Sequence, residues 1–159
     1  VCTLEGTRPV LVEIQALVTP TAYGTPQRNA TGFDYRRLQM LLAVLEKREG
    51  LRLAAHDVFV NVVGGLRLEE PAADLGVLVA VASSFRDIPA DTGTVLIGEV
   101  GLGGEIRGVG QLDVRLREAA RLGFRQALVP AHHLKGLLRP DGLEVVGVRS
   151  LHEALDLVL

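Results

Sequence analysis

Apolar residues recur along the chain at two spacings, one typical of strands and the other of helices. The segment Val10–Val18 is rich in β-branched residues, and Glu13 and Gln15 alternate there with apolar neighbours. This alternation predicts a half-buried strand. Further strands are predicted over Val58–Val63, Thr94–Val100, Gln126–Val129 and Leu143–Val148.

Helical spacing predicts helices between these strands. Asp34 can cap a helix in which leucines repeat until Gly50. The run Ala72–Phe85 is apolar nearly all round, which predicts a helix buried in the core. Ser150 and Glu153 form a capping box for a terminal helix. The inward-facing residues are Leu38, Leu41, Leu42 and Leu45; Leu112, Leu116 and Ala119, in a helix ending at Gly123; and Leu151, Ala154, Leu155 and Val158.

Turn-forming residues separate these elements. The polar segment Thr19–Gly32 predicts a long loop that carries Arg28, and glycines in Gly101–Gly108 predict a tight hairpin turn. A short helix is predicted after Pro130, through Leu138. Because strands and helices alternate throughout, we expect one α/β domain with a mixed sheet and packed helices over residues 1–159.

Composition narrows the class of protein. Of the 159 residues 48% are hydrophobic and 23% charged, as in ordinary globular domains. No apolar stretch reaches the roughly 18–20 residues of a membrane span, so we expect no membrane contact. We also expect a cytoplasmic protein, with which the single cysteine is compatible. A single cysteine, Cys2, excludes an internal disulfide and zinc sites built on paired cysteines. Val1 in place of methionine indicates a fragment of a longer protein.

No motif for nucleotide or metal binding stands out. The glycines from Gly98 to Gly110 lack the lysine of a phosphate-binding loop. His132 and His133 are adjacent, so we expect their side chains to point in different directions, and they lack the spacing of a helical zinc pair. His56 is isolated, as is His152. We therefore expect neither a cofactor nor a metal in this domain.

Four segments together resemble the RadA/Sms family of bacterial DNA-repair ATPases. Leu4–Leu17 looks like the segment joining that family's ATPase core to its C-terminal domain, and Leu38–Arg48 like the first helix of that domain. Asp57–Gly65 is similar to its central strand, and Gly98–Arg107 to its hairpin. The resemblance implies a Lon-protease-like fold (ribosomal protein S5 domain 2-like), with residues 1–9 the junction to a missing ATPase core.

The same resemblance implies a peptidase fold without its catalytic pair. Lon-type peptidases use a serine, activated by a lysine that acts as base. Here Ala72 stands at the position of the serine and Asp113 at that of the lysine. Ser83 and Ser84 lie about three turns along the buried helix, too far to substitute. We expect their hydroxyls to bind the helix backbone or to lie at the helix end. We expect no peptidase activity, with Asp113 paired to a nearby arginine.

The resemblance implies that a domain without peptidase activity has a role in assembly and DNA binding. The family implies a hexameric ring that binds double-stranded or branched DNA during homologous recombination and branch migration, with a recombinase or helicase as a further partner. ATP, magnesium and a zinc finger are implied only for the missing upstream domains. The alternative is a ring scaffold that binds a protein partner, with DNA held by the other domains.

The net charge of -2 gives no overall attraction to DNA, so any site must be a local cluster of arginines. Two clusters stand out, although a solvated charged face would have the same pattern. The DNA-binding candidates are Arg28, Arg36 and Arg37 in the first cluster, and Arg115, Arg117 and Arg121, with Arg125 nearby, in the second. Arg36 and Arg37 are expected to face solvent.

Overall fold

Ten strands and four helices alternate along the chain in the computed structural model, which describes all residues from 1 to 159. The strands are β1 (Cys2–Glu5), β2 (Arg8–Leu11), β3 (Ile14–Pro20), β4 (Arg28–Thr31), β5 (His56–Val62), β6 (Thr94–Leu96), β7 (Glu99–Val100), β8 (Ile106–Arg107), β9 (Gln126–Pro130) and β10 (Glu144–Val148). The helices are α1 (Tyr35–Glu49), α2 (Asp74–Arg86), α3 (Leu112–Arg121) and α4 (Leu151–Val158), with short 3-10 helices over Pro71–Ala73 and Ala131–His133. None of these helices has the length and apolar character needed to cross a membrane.

The strands form two three-stranded sheets and two hairpins. In the first sheet β5 lies between β3, which is antiparallel to it, and β4, which is parallel to it. In the second sheet β9 lies between β6 and β10, and all three strands are parallel. The pairs β1–β2 and β7–β8 are antiparallel hairpins. The predicted α/β class with mixed strand directions is confirmed.

Helix α2 lies at the centre of the larger core. It packs against β3, α1 and α4, and eight of its residues are buried. Contacts on several sides explain why its sequence is apolar nearly all round. A second, smaller core lies beneath α3, where Leu112, Leu116 and Ala119 are buried as predicted.

The predicted helix ends are largely confirmed. The carboxylate of Asp34 accepts a hydrogen bond from the Arg36 amide at 3.2 Å, and Gly50 ends α1 with a left-handed φ of 70°. The Ser150 hydroxyl accepts one from the Glu153 amide at 3.1 Å. The Glu153 carboxylate accepts a hydrogen bond from the Arg149 amide at 3.1 Å. In a complete capping box it would instead accept one from the Ser150 amide.

Four sequence-based boundaries were wrong. The segment Val10–Val18 is divided between β2 and β3, because the chain turns at Val12 and Glu13 after β2 pairs back onto β1. The strand predicted over Thr94–Val100 is interrupted at Gly98, whose amide binds the Ala72 carbonyl at 3.1 Å instead of a neighbouring strand. In both places contacts with distant segments outweigh the local preference for extended backbone.

The remaining two boundaries concern Thr19–Gly32 and the segment after Pro130. The supposed loop contains the end of β3 and the whole of β4, since Arg28–Thr31 pairs in parallel with β5. The short helix predicted through Leu138 is only the single 3-10 turn Ala131–His133. Pairing with β5 thus makes part of the polar segment Thr19–Gly32 an edge strand, which the local sequence pattern does not indicate.

Candidate functional site

The two positions of the implied catalytic pair lie in different surroundings. Ala72 belongs to the 3-10 turn before α2, is 4% exposed, and its carbonyl oxygen accepts the Gly98 amide. Asp113 lies in the first turn of α3, with its carboxylate 3.6 Å from the Arg117 guanidinium. The pairing of Asp113 with a nearby arginine is confirmed. The methyl group of Ala72 has no nucleophilic atom, and Asp113 carries a carboxylate in place of the lysine amine that the resemblance implies.

The two serines of α2 make hydrogen bonds to backbone. The Ser83 hydroxyl donates to the Ile88 carbonyl just beyond the helix at 2.5 Å, which confirms the predicted role at the helix end. The Ser84 hydroxyl instead accepts the Val18 amide at 2.9 Å and joins α2 to β3. Both hydroxyls are therefore engaged at the end of α2 distant from Ala72.

Arg37 does not face solvent, contrary to expectation. Its guanidinium makes two hydrogen bonds to the fully buried carboxylate of Asp74, one of them from Nε at 2.6 Å, and lies 3.8 Å from Glu99. The Val100 amide also donates to Asp74, at 3.1 Å. Burial raises the pKa of Asp74, although the hydrogen bonds from Arg37 and Val100 oppose that shift. This network joins α1, α2 and β7, so Arg37 has a structural role.

Arg115 is the most buried arginine among the candidates. Its side chain is 2% exposed and binds Glu70 through both guanidinium nitrogens, at 2.5 and 2.9 Å. It also donates to the carbonyls of Cys2 and Gly110, at 2.7 and 3.0 Å. Burial raises the pKa of Glu70, but the hydrogen bonds and charge of Arg115 outweigh it and lower the pKa overall. A phosphate could not reach this guanidinium without displacing the β1–β2 hairpin.

Arg28 is likewise engaged within the protein. It lies in β4, not in a loop, and its guanidinium donates to the carbonyls of His56 and Leu53, the latter at 2.8 Å. Both acceptors belong to the segment that leads into β5, where buried carbonyls need donors. Arg28 therefore anchors that segment to the sheet.

Among the six DNA-binding candidates, the accessible arginines are Arg36, Arg117 and Arg121. Arg36 is exposed at the start of α1, and the other two side chains are 64% and 68% exposed on α3. Arg121 pairs with Glu118 at 2.5 Å, as Arg117 pairs with Asp113. Exposed pairs of this kind contribute about 0–1 kcal/mol, so these guanidinium groups can exchange a carboxylate for a phosphate at small cost.

The adjacent histidines point in similar directions, so the expected divergence was wrong. The rings of His132 and His133 lie 4.6 Å apart because both residues belong to one short 3-10 turn. The Nε2 atom of His133 accepts the Val109 amide at 3.1 Å. His56 packs edge-on against Phe85, with ring centroids 5.2 Å apart, and His152 contacts Glu49 at 3.0 Å. No three histidine, cysteine or acidic side chains are grouped to hold a metal ion.

A large cavity lies elsewhere in the protein, in a groove between β3 and β6. Its volume is about 1080 Å³, and neither Ala72 nor Asp113 lines it. One wall is Glu13–Leu17 of β3 and its turn, the other is Thr94–Leu96 of β6, and one face of α2 forms the floor. We call it the β3–β6 groove. Sequence analysis missed it, because its walls come from two different sheets.

The protein is thus an α/β domain of two small sheets packed around a buried helix, with exposed arginines on α1 and α3. A protein-family model described as subunit ChlI of Mg-chelatase matches residues 24–133. This match extends over more than half of the chain, so the chain belongs to that family.

Individual relatives are similar over nearly the whole chain. DNA repair protein RadA of Bacillus subtilis is 52% identical over 152 residues, 96% of this chain and 33% of the relative. Its counterpart in Halalkalibacterium halodurans is 51% identical over 159 residues, 100% of this chain and 35% of the relative. That of Streptococcus pneumoniae is 48% identical over 155 residues, 98% and 37% respectively. The chain spans about a third of these relatives, and the resemblance to the RadA family is confirmed.

Proposed function

We propose that this chain is a catalytically inactive Lon-protease-like domain of a RecA-like hexameric DNA-repair ATPase. The observation that carries the proposal is the identity of about half its residues to proteins named DNA repair protein RadA, over 96–100% of the chain. Such identity across both sheets and all four helices supports a shared domain and a shared role in DNA repair. In this proposal the protein is cytoplasmic, and ATP, magnesium and zinc bind only to upstream domains.

Two features support an assembly role without peptide cleavage. Ala72 and Asp113 leave the proposed Lon-like fold without its serine nucleophile and without the lysine that would activate it. Ala72 is also almost fully buried, so a peptide carbonyl has no open approach to that position. A domain of this kind contributes surfaces: in our proposal it stabilises a hexameric ring and supports DNA binding during homologous recombination and branch migration.

DNA contact in this proposal is made by the accessible arginines. Arg117 and Arg121 are one helical turn apart on α3 and point to the same side, so they can bind neighbouring phosphates. Arg36 is a third candidate on α1. A domain with a net charge of -2 has no general attraction to DNA, so binding should be weak for one copy and strengthened when a ring presents several.

The test is fluorescence anisotropy with labelled duplex and branched DNA across a salt series, using the chain in its assembled form. We expect affinity to fall with salt, with a slope of about -0.9 per phosphate contacted on duplex DNA. The double variant Arg117→Ala/Arg121→Ala should bind more weakly and with a flatter slope. A matched control, Arg67→Ala/Arg139→Ala, removes the same charge from other exposed positions and should bind like the parent. Equal affinity of both double variants would contradict the proposed surface.

A second candidate function is a ring scaffold that binds a protein partner while other domains hold DNA. The β3–β6 groove favours it, because a deep, largely apolar cavity suits a peptide better than a nucleic-acid backbone. Absence of any salt-sensitive DNA binding by the assembled protein would favour this second function.

A further inference from the structure

The β3–β6 groove runs between two strand edges that pair with nothing else. β3 is the outer strand of its sheet, and β6 is the outer strand of the other. The groove follows Glu13–Leu17 along the first edge and reaches Thr94–Leu96 on the second. Five residues of extended chain measure about 16 Å, enough to accommodate a short peptide strand.

Backbone groups of β3 are directed into the groove. Residues of β3 bind β5 alternately, and the bond from the Val63 amide to the Glu13 carbonyl shows that odd-numbered residues face β5. Ile14, Ala16 and Val18 therefore direct their N–H and C=O groups away from the sheet. The Val18 amide is satisfied by Ser84, whereas those of Ile14 and Ala16 have no acceptor in the chain.

The opposite edge has a similar arrangement. The Ile97 amide donates to Leu128 of β9, so the peptide groups of its neighbour Leu96 point away from β9 and towards the groove. Edge strands with free peptide groups are templates for the addition of another strand. Each of these two edges can therefore accept the backbone of an extended peptide that lies in the groove.

The floor and walls fit small apolar side chains. Ala80 and Ser83 of α2 line the floor, and their short side chains leave room above this part of the helix, whereas Gly76 is covered by the Val1 side chain. Leu17 projects from β3 with 57% of its surface exposed, and Phe59 and Phe124 line the groove as well. Alternate side chains of a bound strand would contact this floor and these walls.

The charged side chains in the lining are acidic. They are Glu13 at the start of β3 and Asp91 just before β6. Asp91 is partly neutralised by Arg125 at 2.9 Å, whereas Glu13 is exposed and has no ion-pair partner. This charge repels the phosphates of DNA and attracts a basic side chain.

We propose that the β3–β6 groove binds an extended segment of a partner protein by strand addition, and that this segment is apolar at alternate positions and basic near its end. The proposal is based on the groove and not on DNA binding through α3, so either can fail without the other. Among the possible occupants, a peptide of this composition matches the peptide groups, the short side chains and the charge together.

The probe is a fluorescein-labelled peptide of alternating valine and threonine with a lysine at each end, titrated with the chain. We expect saturable binding. Two altered peptides should bind about tenfold more weakly or not at all: one with glutamate in place of lysine, and one with backbone N-methyl groups at alternate positions. N-methylation removes the donors that strand pairing needs and leaves side chains and charge unchanged.

Protein variants locate the site. Ala80→Phe fills the floor of the groove and should abolish peptide binding, whereas Ala43→Phe, on the exposed face of α1, should bind like the parent. Glu13→Lys should bind the lysine peptide more weakly than the parent does and should bind the glutamate peptide more tightly. Glu46→Lys, on α1, is the charge-matched control and should bind both peptides like the parent. Circular dichroism checks that each variant is folded, and Ala80→Phe should bind DNA like the parent.

Three results would overturn the inference. One is failure of the folded parent to bind the probe, and another is equal binding of the N-methylated peptide. The third is that Ala80→Phe abolishes self-association, measured by sedimentation, while the peptide does not compete with self-association of the parent. In that case a second copy of the chain would occupy the groove.

Discussion

Replacing Arg115 by methionine should destabilise the domain more than any comparable change on the same helix. Methionine has a similar length and fills much of the same space, but it removes every hydrogen bond that the guanidinium makes. The Glu70 carboxylate loses both of its contacts at 2.5 and 2.9 Å, and the Cys2 and Gly110 carbonyls lose their donors. The change therefore removes the charged partner of Glu70, which keeps a hydrogen bond from the Leu4 amide at 3.1 Å, and takes one donor from each of the two carbonyls.

The expected magnitude follows from the burial of the pair. Removing one partner of a buried ion pair costs about 3–5 kcal/mol. The Glu70 side chain is 27% exposed, and solvent recovers part of its charge, so we expect the lower end, about 3 kcal/mol. In a domain of this size that loss lowers Tm by roughly 6–12 °C.

The assay is urea unfolding followed by circular dichroism, with Arg117→Met as the matched control. Arg117 lies on the same helix, but it is exposed and 3.6 Å from Asp113, so its replacement should cost no more than about 0.5 kcal/mol. The double variant with Glu70→Gln should recover part of the loss, because it removes the unpaired charge. If Arg115→Met were no more destabilising than Arg117→Met, the structural role assigned to Arg115 would be wrong.

The same pair predicts a dependence on pH. Because the folded pKa of Glu70 is lowered from its ordinary value of 4.5, the pair contributes its full stability above that pH. The contribution is lost as pH falls through the folded pKa. The stability difference between the parent and Arg115→Met should therefore shrink below pH 4.5, and a constant difference would refute this assignment.

Three further predictions follow from the packing and the missing catalytic pair. Arg37→Ala, which leaves buried Asp74 unpaired, should cost about 3 kcal/mol in urea unfolding, whereas Arg36→Ala should cost less than about 0.5. Gly32→Ala should cost about 2 kcal/mol in the same assay, since a Cβ at φ of +80° would lie 2.5 Å from the Leu66 carbonyl oxygen. The parent chain should not cleave unfolded casein in a gel assay, because Ala72 and Asp113 supply no catalytic pair, and cleavage above background would contradict this.

The arginines illustrate why a charge pattern does not by itself define an interface. Arg36 and Arg37 are neighbours in sequence, yet one is exposed and the other binds a carboxylate 37 residues away. Arg115 and Arg117 differ in the same way on α3, since only Arg115 reaches the β1–β2 hairpin. Of the six candidates three retain an accessible guanidinium, and these are the ones that the DNA-binding experiments address.

The sequence alone determined the features that arise from local spacing and residue chemistry. Leucines at helical intervals with Asp34 and Gly50 at the ends specified α1, and the β-branched run before Val62 specified β5. These predictions succeeded because helix and strand periodicities and end-capping bonds involve residues close together in the chain. The identities of Ala72 and Asp113, at the two positions where the resemblance implies a serine and a lysine, can likewise be read directly from the sequence.

Tertiary structure alone decided the features that depend on segments distant in the chain. The Arg115–Cys2 contact joins residues 113 positions apart, and the β3–β6 groove exists only because edges of two separate sheets lie beside α2. Strand β4 likewise depends on its pairing with β5, in which Arg28 lies opposite Val58, more than on local preference. Burial, ion pairing and cavities arise from contacts between whole elements, and a one-dimensional pattern does not contain those contacts.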